Sequence, residues 1–237
     1  PVLLKYAEDC CTAIASNGTI DGTDANRLFS AKTLYIMPLV NPDGVDLVTG
    51  AINIDSEFYL SARSIAAEYS FIPFPNGWKA NIEGTDLNLN YPAGWQRAKQ
   101  IKAEQGFVSP APRDFVGTAP LSAVESRAVY NFTLAHNFAL TLSYHTQGEV
   151  IYWKYLNYLP PRSEEIGIAL SEASGYSLDT TPYASGFAGY KDWYISFFNR
   201  PGYTVEIGMG TNPLPISDFN SVYPPNKSLI TTAVSLI

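Results

Sequence analysis

Leu140-Thr141-Leu142-Ser143-Tyr144-His145-Thr146-Gln147-Gly148-Glu149-Val150-Ile151-Tyr152-Trp153 decides how this chain is read. Leu140, Leu142 and Tyr144 alternate as in a core strand; the polar Thr146-Gln147-Gly148 breaks the run, and Val150 to Trp153 resumes it. His145 therefore falls where a core strand ends. In open α/β sheets ligands collect at the carboxyl ends of strands, which favours an imidazole there for chemistry. The competing reading is a core histidine satisfied by a backbone carbonyl.

Working outward, Tyr203 to Ile207 (YTVEI) predicts a short strand carrying Glu206, a carboxylate that is costly to bury unless paired or functional. Thr33 to Val40 (TLYIMPLV) reads as a strand buried on both faces, followed by a turn at Asn41-Pro42-Asp43-Gly44. Helices are predicted over Pro1 to Ser16, with Leu4, Ala7, Cys11 and Ile14 on the apolar face, and near Tyr59 to Tyr69. Others follow from Ser122 to His136, where Ser122 and Glu125 form a capping box, and over Glu164 to Ser174 and Tyr190 to Phe198. A last helix after Ser217 is expected in two pieces, broken at Pro224-Pro225. His136, near a helix end, reads as structural. Strands alternating with helices predict a single α/β domain over 1–237: a mixed, mostly parallel sheet with helices on both faces.

Composition narrows the function. A chain of 237 residues, 46% hydrophobic, can bury one substantial core. Its net charge of −7 offers no basic stripe for a nucleic-acid or anionic-membrane partner. No apolar run spans a bilayer and the first residues lack a basic leader, so the chain is read as soluble, leaning to the cytoplasm. Cys10 and Cys11 are adjacent, with neither redox nor zinc-finger spacing, and read as core or half-buried thiols.

Two polar segments complete the inventory. Trp78 to Pro92 is Gly-containing and places Asn at 88 and 90, too polar for a core strand. Thr180 to Gly189 (TTPYASGFAG) has the composition of a lid and contains Tyr183. His145, Glu206, Asn88 and Tyr183 together are the parts of a metal-assisted amide hydrolase. A catalytic zinc takes about three protein ligands and an open position for water, and a carboxylate outside that shell moves the proton.

Asn41-Pro42-Asp43-Gly44, Gly84-Thr85-Asp86-Leu87-Asn88, Ser143 to Gly148 and Tyr203 to Ile207 occur in the order seen in the zinc carboxypeptidase family, which the chain resembles over nearly its whole length. The resemblance implies a Zn2+ cofactor with His145 as a ligand, and Glu206 as general base. It implies that Asn88 holds a peptide substrate and Tyr183 closes over it. Lys79, after Trp78, stands where the family usually has the arginine that polarises the scissile carbonyl, and supplies a point charge in place of a two-pronged contact.

Leu89 stands where the family usually has an arginine that clasps the substrate's terminal carboxylate. With Tyr91 to Trp95 and the His145 to Trp153 string, this is similar to the bacterial γ-D-glutamyl-L-diamino acid peptidases, which implies a muropeptide substrate from peptidoglycan. The family's His-x-x-Glu zinc motif is absent, the only histidines being His136 and His145. The expectation is a chain that begins downstream of that motif, lacks the first strands of the sheet, keeps an exposed sheet edge and is inactive by itself. The alternative is a non-catalytic relative that binds peptide without cutting it.

Overall fold

A computed structural model describes all residues, 1–237. Nine helices form: α1 (Val2–Ala15), α2 (Ala25–Phe29), α3 (Pro42–Thr49), α4 (Glu57–Ala67), α5 (Trp95–Glu104), α6 (Val124–Leu134), α7 (Ser163–Ser174), α8 (Tyr190–Phe198) and α9 (Phe219–Leu236). The strands are β1 (Thr19–Ile20), β2 (Thr23–Asp24), β3 (Thr141–His145), β4 (Val150–Tyr152), β5 (Ser177–Asp179) and β6 (Gly202–Glu206). β1 and β2 make a small hairpin, while the main sheet runs in the order β3-β6-β4-β5. β3 and β6 are parallel, as are β4 and β5, and β4 meets β6 antiparallel. The sheet is therefore mixed and mostly parallel.

Helices cover both faces. On one, α1, α7 and α9 enclose Ile151, Tyr203 and Val205, each 0% exposed. Burial of side chains of this size contributes roughly 1.5–3 kcal/mol apiece. On the other, α8 lays Tyr194 and Ile195 over Gly202, and Trp193 anchors a second core with Leu89, Tyr91 and Trp95. Strand residues alternate between faces, so Tyr203 and Val205 point to the first core, and Gly202, Thr204 and Glu206 to the opposite side.

Several local expectations are corrected. Thr33–Val40 forms no strand; it is irregular and largely exposed, with Ile36 alone half-buried. An apolar run becomes a strand only when a neighbour supplies its hydrogen bonds, and no strand pairs with it. Asn41 to Gly44 is a helix start: Asn41 Oδ1 accepts from Gly44 N at 3.1 Å and Pro42 takes the first turn. Only glycine fits at 44, because a Cβ there would stand 2.6 Å from the Ala80 carbonyl oxygen. The buried face of α1 is Val2, Tyr6, Cys10 and Ala13, leaving Leu4 and Ile14 outside and Cys11 exposed. The helix has two apolar stripes, and the one carrying the bulky Tyr6 went inward.

Ser122 does not cap α6. Ala123 takes the N-cap position, while the Ser122 hydroxyl receives Asn90 Nδ2 at 3.1 Å and Glu125 receives Asn81 Nδ2. α9 runs unbroken through Pro224 and Pro225. Packing of Tyr223, Leu229, Ile230, Ala233 and Val234 offsets the backbone hydrogen bonds those prolines forgo. His136 lies just past α6, its Nδ1 2.7 Å from the Phe132 carbonyl and its ring stacked on Phe138, a packing role.

β3 ends the sheet with one unpaired edge, beside the exposed apolar Thr33–Val40. Such an edge is a template for pairing with another chain. The chain should associate with itself as concentration rises in sedimentation velocity; a single monomer species across the micromolar range would show that this edge is protected.

Candidate active site

The β3–β6 register sets the site. His145 and Glu206 are direct partners at the carboxyl ends of two parallel strands, and Ile207 N donates to the His145 carbonyl at 2.9 Å. Partners on adjacent strands lie about 4.8 Å apart and present side chains to the same face. The imidazole and the carboxyl therefore stand side by side, on the face away from the α1–α7–α9 core. Glu206 is flanked on its other side by Val150 of β4.

Burial pushes the Glu206 carboxyl up to about 7, against the pull of the Lys79 charge. Burial, followed by that same Lys79 charge, pushes the His145 imidazole down to about 4, with Asp86 opposing. Both groups thus favour their neutral forms when the site stands alone, and one cation acts on both.

Lys79 reaches the site on a polar loop. Lys79 N and Ala80 N donate to the Pro112 carbonyl at 2.7 and 2.9 Å, and Asn41 Nδ2 donates to the Ala80 carbonyl at 2.8 Å. The Lys79 ammonium lies 3.1 Å from Asp86 Oδ2; the Lys79 side chain is 44% exposed, the Asp86 side chain 1%. Burial works against its charge, but Asp86 overcomes this and raises the Lys79 pKa. An ammonium has three donors, so this pairing leaves others for a ligand.

Asp86 also accepts from Asn88 N at 3.3 Å and Asp114 N at 3.1 Å, capping the short 3-10 turn Leu87–Leu89. That turn aims alternate side chains apart. Leu89 enters the second core, 6% exposed, and places no cation in the cleft. Asn88 faces the site, its Oδ1 receiving Tyr190 N at 3.1 Å. This bond assigns the amide orientation and leaves both Nδ2 hydrogens as free donors.

Lys79, Asp86, Asn88 and His145 line one cavity of about 1190 Å3, bounded by β3, the Thr33–Val40 segment and Tyr190. Glu206 adjoins it through its pairing with His145. Tyr183 is not among the residues that line it. Its ring is 61% exposed, its hydroxyl accepts from Arg97 Nε at 3.0 Å, and it borders a separate pocket of about 220 Å3 with Lys154, Tyr155 and Phe187. Four of the five candidate residues are therefore brought together and one stands apart. Asp86 belongs to the Gly84 to Asn88 motif but has no role assigned to it from sequence, although an aspartate two positions before Asn88 is a recognisable turn cap.

The family model for zinc carboxypeptidase matches residues 7–235. The chain belongs to the zinc carboxypeptidase family.

This family member is 41% identical over 223 residues to gamma-D-glutamyl-L-diamino acid endopeptidase 1 of Lysinibacillus sphaericus, a match covering 94% of this chain and 54% of that protein. It is 36% identical over 235 residues to the uncharacterized protein YqgT of Bacillus subtilis (strain 168), covering 98% of this chain and 60% of that one. The chain thus spans little more than half the length of these relatives. Thrombin activatable fibrinolysis inhibitor shares the fold with a TM-score of 0.68 at 18% identity, over 100% of this chain and 57% of its own. The bovine inhibitor, solved with tick carboxypeptidase inhibitor, gives 0.65 at 19% identity, over 99% of this chain and 76% of its own.

Zinc is the cofactor that the family implies. No three His, Cys, Asp or Glu side chains gather here in a way that could hold a metal ion. His145 contributes one imidazole where a catalytic zinc takes about three protein ligands. The residues of this chain do not by themselves fit the ion.

Proposed function

We propose that this chain carries the substrate-holding and proton-transferring half of a peptidase that hydrolyses the amide between γ-D-glutamate and a diamino acid in peptidoglycan stem peptides. The observation that carries this reading is the pairing of His145 with Glu206 at neighbouring strand ends, beside a cavity that also holds Lys79 and Asn88. Glu206, poised at about 7, is matched to accept a proton from water and return it to the leaving amine near neutral pH. Lys79 would place positive charge on the scissile carbonyl oxygen, and Asn88 Nδ2 would donate to the substrate. Tyr183 would join only if its loop swung away from Arg97.

The substrate class rests on the Lysinibacillus relative's name and on Leu89. With an apolar, inward-facing residue at 89, no cation from that turn clasps a terminal carboxylate, which weighs against ordinary C-terminal trimming. The solitary imidazole favours a second reading, a relative that binds stem peptide without cutting it. Calorimetric titration of the chain tests the substrate class for both. A muropeptide tripeptide containing the γ-D-glutamyl–diaminopimelyl bond should bind about tenfold tighter or better than a hippuryl amino acid. Tighter binding of the hippuryl compound would overturn it.

A further inference from the structure

Lys191 and Asp192 are both buried, their side chains 4% exposed, and neither has a part in the chemistry above. Lys191 Nζ donates to Asp192 Oδ1 at 2.6 Å and to the Lys154 carbonyl at 2.7 Å. Asp192 Oδ2 accepts from Gly189 N at 3.1 Å, the last residue before α8. The next amide, Tyr190 N, is the one that donates to Asn88 Oδ1. Gly189 makes this possible, since a Cβ there would stand 2.9 Å from Asp192 Oδ2 and 3.3 Å from Asn88 Oδ1.

Consecutive backbone amides are thus shared between a buried carboxylate and the candidate substrate-holding amide. Gly189 is held from both sides, its N–H by Asp192 and its carbonyl by Trp193 N at 3.1 Å, and together these set the direction of Tyr190 N. Without the carboxylate, the Gly189 N–H is left unpaired and the Gly189–Tyr190 peptide is held only by the Trp193 N bond to the Gly189 carbonyl, so Tyr190 N is less firmly aimed and Asn88 can turn its oxygen toward the cavity where donors are needed. Asp192 also caps the start of α8 through its bond to Gly189 N, whereas the burial of Lys191 beside it adds little stability over apolar residues of similar shape.

We propose that Asp192 is a positioning residue, acting through Gly189 and Tyr190 to hold the Asn88 amide with its Nδ2 donors facing the ligand, with Lys191 as the counterion that allows the carboxylate to be buried. The proposal rests on the substrate-holding reading of Asn88 given above.

The test uses the whole chain and two readouts. In Asp192→Ala, hydrogen exchange of the Tyr190 amide, followed by NMR, should speed at least about tenfold while the Val205 amide in β6 is unchanged. Affinity for the muropeptide tripeptide should fall about tenfold in Asp192→Ala and in Asn88→Ala, and the double variant should be no worse than Asn88→Ala alone. The double variant Lys191→Met/Asp192→Asn removes both charges but keeps a carbonyl acceptor for Gly189 N. It should restore Tyr190 protection and bring affinity to within about threefold of the parent.

Unchanged Tyr190 exchange in Asp192→Ala, additive losses in the cycle, or no rescue by the charge-free double variant would each overturn the proposal. Should Asp192→Ala fail to fold, the rescue arm decides. A parent chain that binds no tripeptide would defeat the substrate reading instead, and the Tyr190 exchange would still decide the positioning role.

Discussion

Asp86→Ala should destabilise the chain by about 3–4 kcal/mol in urea unfolding. The Asp86 carboxylate is 1% exposed and accepts three donors: the Lys79 ammonium and the backbone amides of Asn88 and Asp114. Hydrogen bonds to a charged group are worth about 1.5–3 kcal/mol each, and the alanine variant strands two backbone donors away from water. Lys79 is partly open to the cavity and can recover some hydration, so its share is the smaller. Asp86→Asn keeps one acceptor for the turn but loses the charge, and should cost about 1–2 kcal/mol. An alanine variant within about 1 kcal/mol of the parent would mean that the turn does not depend on this carboxylate.

Glu206→Gln should stabilise the chain above neutral pH. The Glu206 carboxyl has its pKa raised from 4.5 in the unfolded chain to about 7 in the folded one. Between those values the folded state holds the extra proton, so Glu206 erodes stability as pH rises from 4.5 to 7. The full shift corresponds to about 3 kcal/mol, and partial contact with solvent reduces the expected gain at pH 8 to about 1–2 kcal/mol. His145 works in the opposite sense: its pKa falls from 6.5 to about 4 on folding, so it costs stability as pH drops through that window. In the parent the contributions of these two groups oppose one another between 4.5 and 6.5. The glutamine variant should uncover the histidine and lose stability steadily on acidification. Equal stability of parent and variant at pH 8 would show that the carboxylate is not desolvated.

A carboxylate that costs stability when ionised, next to an imidazole that costs stability when protonated, is what the proposed proton-transfer role calls for. Pairs perturbed in this way concentrate at functional sites. Removing Lys79 should push Glu206 higher, because its charge is the one that lowers that carboxyl.

Periodicity in the sequence was enough to find β3, β4 and β6 and to place α7 and α8 within a residue or two, because alternation and helical spacing are properties of neighbouring residues. The same local signal misjudged Thr33–Val40, where a strand-like composition meets no partner to pair with. It also misjudged α9, where two prolines on the outer side of the helix are overridden by the core packing of Tyr223, Leu229, Ile230, Ala233 and Val234. The polar segments around Asn88 and His145 were legible as candidates because ligands collect at strand ends and in polar loops, although neighbours such as Asn90 and Asn81 turn out to hold the loop together.

What the residue order determined by itself is which candidate side chains were available: the His145 imidazole, the Glu206 carboxylate, Asn88, Lys79 and a leucine at 89 in place of a clasping cation. Tertiary structure alone decided that His145 and Glu206 share a register and a face, that Lys79 is tethered to Asp86, that Tyr183 faces Arg97, and which way Asn88 turns its amide. The physical reason is range. Propensity acts over a few neighbouring residues, whereas desolvation, ion pairing and amide orientation depend on groups that the chain brings together only by folding.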